Sequence, residues 1–93
     1  MLRITPLAQT DEETILRIEG RFTGADVVLV DREIRVRFEQ SQRLVLDLQG
    51  LKHIDREGLD LLKRWSGETL VLQGCSPFVR TLLDNYGLST VFE

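Results

Sequence analysis

Asp55, Arg56, Glu57 and Gly58 set an acid, a base, an acid and a glycine between an apolar run and an amphipathic one. Carboxylates beside a guanidinium suit three tasks: proton transfer, binding of a charged partner, or capping of a helix. Asp55 is of the type that caps a helix, and Glu57 in a first turn complements the positive end of the helix dipole. Capping therefore accounts for both acids. Gly58 needs another reason, because glycine inside a helix costs ~1 kcal/mol relative to alanine. It lets either a partner approach the backbone or the helix pack closely. Capping alone and a surface binding site both remain open for residues 55–58.

Catalysis has few other candidates. His53 is the single histidine and Cys75 the single cysteine. Cys75 precedes a predicted helix start, where a thiolate would be stabilised. A nucleophile also needs an oriented base and an oxyanion site, and no spacing here supplies them. Cys75 reads as a small buried or half-buried thiol, and His53 as a loop or edge residue. One His and one Cys make no metal set, and neither GxGxxG nor GxxxxGK[ST] occurs. No enzyme activity and no cofactor are expected.

The elements that must position the acids follow from hydrophobic period. Residues 2–4 and 14–20 alternate as strands, joined through Pro6 and a turn at 9–13, which suggests an antiparallel pair. Residues 23–40 form the longest helical candidate, with Thr23 as N-cap and Val27, Val30, Ile34 and Phe38 on one face. Asp31 with Arg35 and Glu33 with Arg37 stand at ion-pair spacing. Leu29 and Val36 lie off the main face, either as ordinary exposed apolar residues or as part of a contact surface open to self-association. The runs 43–50 and 68–74 are nearly continuous apolar strands, of the kind covered on both faces. A helix at 56–66 between them completes a right-handed βαβ unit. The helix at 75–88 has Ser76 as cap, Pro77 at its first position, and Gly87 with Leu88 to close it. In the tail 89–93, Val91 and Phe92 are expected to pack back. The fold class is α/β: one domain over 1–93, β-β-α-β-α-β-α, a four-stranded mixed sheet covered by helices.

Composition bounds the function. Ninety-three residues, 42% of them apolar, suffice for one small core. A net charge of −3 argues against nucleic acid, which demands a basic face. No apolar run approaches the ~18 residues of a membrane span, so no direct membrane insertion is expected. The opening MLRITPLAQTDEE lacks the apolar stretch of a signal peptide. A soluble cytoplasmic domain is the expectation.

The run LVLDLQGLKHIDREGLDLL resembles the central signature of STAS domains, the family named for sulfate transporters and anti-sigma factor antagonists. LRIEGRFTGADV is similar to that family's second strand and first helix start, and ETLVLQGCSPFVRTLLDNYGLSTVF to its closing strand, Ser-Pro helix and Gly-Leu end. The resemblance implies a non-catalytic interaction module. In phospho-regulated members, the hydroxyl residue just before the motif glycine is phosphorylated by a partner serine/threonine kinase that is itself the anti-sigma factor. Other small members serve as cytoplasmic accessory subunits of lipid-handling ABC transporters. A third role, small-molecule or nucleotide binding, has no phosphate loop to support it here.

This chain departs from the motif at its switch. Glu57 stands at the phospho-acceptor position and Arg56 at the hydroxyl before it, while Asp47, Asp55, Gly58 and Leu59 match. Thr23 stands where the family often has an acid near the phosphosite. The resemblance therefore implies a partner-binding surface at Thr23, Asp55, Arg56, Glu57, Gly58 and Leu59, with a degenerate phosphosite at Glu57. The expected partner is a protein: an anti-sigma factor, a serine-kinase-like protein or a transporter component. Glu57 is then either a permanent phosphomimic or a contact for a cation on the partner. Arg56 partly cancels the local charge and so favours the contact.

Overall fold

In the computed structural model, residues 1–88 are described. They form β1 (Leu2–Gln9), β2 (Glu13–Phe22), a 3-10 turn (Gly24–Asp26), α1 (Val27–Gln40), β3 (Arg43–Asp47), β4 (Leu51–Ile54), α2 (Arg56–Trp65), β5 (Leu70–Gln73) and α3 (Pro77–Asn85). Val91 and Phe92 lie outside the described residues. β1 runs antiparallel to β2, and β3, β4 and β5 complete a mixed sheet in parallel pairings. β2 pairs with β3 from Glu13↔Arg43 to Arg17↔Asp47, then with β4 from Gly20↔Leu51 to Phe22↔Ile54. β3 and β4 thus succeed one another along β2.

β4 is a fifth strand where the sequence suggests four. Four residues with one exposed lysine are too short to show a period, yet Leu51 and Ile54 are each 2% exposed. Pairing with β2 across some thirty residues, not local preference, makes it a strand. β1 is also longer than expected and passes through Pro6. An edge position tolerates the missing N–H, and the register shifts between Pro6 and Ala8.

One cluster joins Leu16, Ile18, Leu44, Leu46 and Leu72 of the sheet to Val30 and Ile34 of α1, Leu61 and Leu62 of α2, and Val79 and Leu83 of α3. Strand alternation puts those sheet residues on one face, so all three helices cover that face. Val45 and Asp47 point to the other side of β3 and are still buried, as a central strand requires. α3 closes as the sequence predicts: Gly87 takes a φ of 81°, and the buried Leu88 donates its N–H to the Leu83 carbonyl at 3.0 Å.

Candidate functional site

Asp55 follows β4 directly and starts α2. Its N–H donates to the Phe22 carbonyl at 3.1 Å, which carries the β2–β4 pairing one step further. Its carboxylate is then shared. Oδ1 accepts the Gly58 N–H at 2.9 Å, and Oδ2 accepts the Gly24 N–H at 2.9 Å. One side chain therefore caps α2 and anchors the 3-10 turn before α1. The Gly58 N–H holds the Asp55 carboxyl below its ordinary pKa, against the opposing effect of burial, with help from Gly24 and His53. A carboxylate kept ionised in this way positions backbone and is a poor proton shuttle.

Gly58 and Leu59 prove to be interior residues. A Cβ at Gly58 would fall 2.9 Å from Ile54 Cγ1 and 3.3 Å from Phe22 Cδ1. Close helix–sheet packing is thus the reason for this glycine, rather than access for a partner. Leu59 is 7% exposed and belongs to the core cluster. Both hold the helix start in place from beneath.

Thr23 takes its expected place as an N-cap, but of the 3-10 turn and not of α1 itself. Its hydroxyl donates to the Asp26 carboxylate at 3.2 Å, and its N–H to the same oxygen at 3.0 Å. The Asp26 carboxylate closes a capping box with Thr23, and a 3-10 turn precedes the α-helix proper. The Gly24 N–H bond to Asp55 fits this tighter turn.

Arg56 and Glu57 are exposed and stand outside this packed base. The Glu57 carboxylate rests over Gly24: a Cβ there would fall 2.6 Å from the Glu57 carboxyl carbon. The Tyr86 hydroxyl donates to Asp60, with the Arg56 guanidinium nearby. The Asp60 bond pushes the Tyr86 pKa up. Lys63 Nζ donates to the Tyr86 carbonyl at 3.0 Å. Among the described residues no ion pair joins Arg56 to Glu57, so the charge of Glu57 is not locally paired.

A surface groove of ≈640 Å³ lies alongside, lined by Val27, Glu57, Asp60, Lys63 and Arg64. Sequence reasoning passed over all of these except Glu57. The signal was present: 57, 60 and 64 share one helical face. Val28 and Leu29, 71% and 49% exposed, follow Val27 on α1.

The catalytic candidates stay apart. His53 lies in β4 opposite Arg21, and among the described residues no hydrogen bond joins it to Cys75. Burial pushes the Cys75 thiol pKa up, the wrong direction for a nucleophile. No group of three His, Cys, Asp or Glu able to hold a metal occurs among the described residues. No described helix is long and apolar enough to cross a membrane.

The family described as "Mlab, STAS domain" matches residues 6–93. The chain belongs to the STAS family. The STAS domain matches the anti-sigma factor antagonist SpoIIAA in its unphosphorylated form with a TM-score of 0.81 and 20% identity, over 98% of this chain and 86% of that one. It matches a serine-to-glutamate variant of RsbS from Moorella thermoacetica at 0.71 and 24% identity, over 94% and 80%. The STAS domain of an anti-sigma factor antagonist from Rhodobacter sphaeroides matches at 0.61 and 24%, over 78% and 86%. No curated protein matches by sequence. The fold of this STAS domain is therefore that of SpoIIAA, with its strand and helix order as read from the sequence and β4 added.

Proposed function

We propose that residues 1–93 act as one non-catalytic protein–protein interaction domain without a serine phosphoswitch. Its contact surface is the exposed start of α2, with the turn at Thr23–Asp26 and the groove beside it. One observation carries this reading: a shared Asp55 carboxylate fixes two helix starts, and the Glu57 carboxylate stands exposed above them without an ion pair among the described residues. The partner is a protein that presents a cation to Glu57, an anti-sigma factor or serine-kinase-like protein by family resemblance. A cytoplasmic location goes with this reading.

Neither Glu57 nor Arg56 has a hydroxyl to phosphorylate. A carboxylate carries one charge, against about −1.5 to −2 and three acceptor oxygens for a phosphate. We therefore favour a binding contact over a permanent phosphomimic. Loss of the hydroxyl also favours a second reading, the accessory subunit of a lipid-handling ABC transporter, because a constitutive subunit needs no switch.

Capture from the source cell's lysate with the wild type and Glu57→Ser, side by side, tests the proposal. The contact reading expects a partner held by the wild type and lost by Glu57→Ser. An ATP-binding serine kinase held only by Glu57→Ser would make Glu57 a phosphomimic instead. A nucleotide that raises stability by ~2.7 kcal/mol at 100 times its Kd would move the domain to the ligand-binding class.

A further inference from the structure

We infer that the sheet face opposite the helices carries a second docking site, a cationic groove that takes an extended acidic segment of a partner protein. This goes beyond the reading of the α2 surface and does not depend on it. Two concavities, ≈310 and ≈210 Å³, meet at Glu19 and Gly50. Arg3 and Lys52 line the first, Arg17 and Gln49 the second. Two glycines keep the floor low. A Cβ at Gly20, whose φ is 93°, would collide with the Met1 carbonyl, and one at Gly50 would fall 2.7 Å from Glu19 Cγ.

Cations outnumber acids among the lining residues here, in a chain with a net charge of −3. Arg3 faces Glu19 across the β1–β2 register. Arg17 and the exposed Arg21 flank Glu19 on the same side of β2, two residues either way. Arg17 is paired with Asp47 at 3.1 Å. Arg3, Arg21 and Lys52 make no ion pair among the described residues. Arg3, Arg17 and Lys52 thus line a shallow groove around one central acid, with Arg21 beyond it, and the unpaired Arg3 and Lys52 attract an anion.

The shape selects a polypeptide. Two concavities placed side by side suit an extended chain, which repeats its side chains on one face at every second residue. Glu19 repels an acid set against it. The fitting segment therefore carries acids on either side of a neutral or basic residue, in the i, i+2, i+4 rhythm of Arg17, Glu19 and Arg21. The groove lies across the sheet from the start of α2, which leaves room for two partners at once.

Fluorescence anisotropy on the full chain tests this with a labelled Glu-Gly repeat peptide and a Lys-Gly peptide of equal length. The groove reading expects binding of the acidic peptide only, weakened by salt. Lys52→Glu and Arg3→Glu should each weaken it about fivefold. Glu19→Gln should tighten it. Arg32→Glu, the same change of charge on the exposed side of α1, should have less than about twofold effect, as for a remote screened charge. Melting curves confirm that each variant folds. Equal loss with Arg32→Glu would reduce the effect to net charge and overturn the proposal. So would binding of the basic peptide, no binding of the acidic one, or binding of phosphatidylglycerol vesicles in its place.

Discussion

The two ends of α2 are fastened to the α1 segment by opposite kinds of contact. At the carboxyl end, the Trp65 ring stacks on Phe38 with centroids 5.5 Å apart, and its indole N–H donates to Asp31 at 2.9 Å. Asp31 also holds Arg35 at 2.9 Å. At the amino end, the tie is a single carboxylate reaching two backbone N–H groups, with apolar packing only beneath it. The aromatic end is half-buried, and the charge of Asp31 there is matched by Arg35. The carboxylate end leaves Arg56 and Glu57 in solvent. One end secures the helix, and the other presents groups while holding their backbone still. A binding surface needs that second arrangement, since preorganised groups lose less freedom on association.

Substitutions at the two ends put this contrast to measurement. Trp65→Ala should have the largest effect, about 3 kcal/mol in urea unfolding, from lost aromatic burial and the indole hydrogen bond lost from Asp31. A loss within experimental error would remove the carboxyl end as the anchor. Asp55→Ala should cost about 2 kcal/mol, because a cap is lost and the Gly24 N–H loses its acceptor. Amide exchange should rise at residues 24 and 58 and stay slow near Trp65; a uniform rise would mean that the ends are not separable. Asp55→Asn, which keeps one acceptor oxygen but sets an NH2 against the other N–H, should recover no more than about half of that loss.

Acid gives a gentler separation. The folded Asp55 pKa lies below its ordinary value. Its stabilisation is therefore complete above the unfolded value, about 3.9, and is lost as pH falls through the lower folded one. Below about pH 4 the wild type should lose stability toward the level of Asp55→Asn, whose own curve lacks this contribution. Parallel curves would show that the Asp55 charge contributes nothing. The smallest effect belongs to Glu57→Gln, within about 0.5 kcal/mol of the wild type, as for an exposed side chain. A larger loss in thermal or urea unfolding would make Glu57 structural.

What the sequence revealed was local. The Asp55 cap, the Ser76–Pro77 start of α3, its Gly87–Leu88 close and both ion pairs of α1 depend on residues a few positions apart. Each was legible for that reason. What it hid was joined across the chain. β4 exists because β2 offers it an edge, and Trp65 finds Asp31 from 34 residues away. The bond from Gly24 to Asp55 spans 31 residues, so Thr23 marked the start of an element but not the tighter turn that follows it. Gly58 was ambiguous because a missing side chain looks the same in sequence whether a partner or Ile54 and Phe22 fill the space.

Gly24 has a use beyond its turn. The Glu57 carboxylate rests where a side chain on residue 24 would begin, and only the far end of a flexible glutamate stands in the way. Any larger residue at 24 acts as a doorstop that swings the carboxylate outward with little disturbance to the backbone beneath. The resting direction of the charge on α2 is thus adjustable from a different element, the turn that precedes α1.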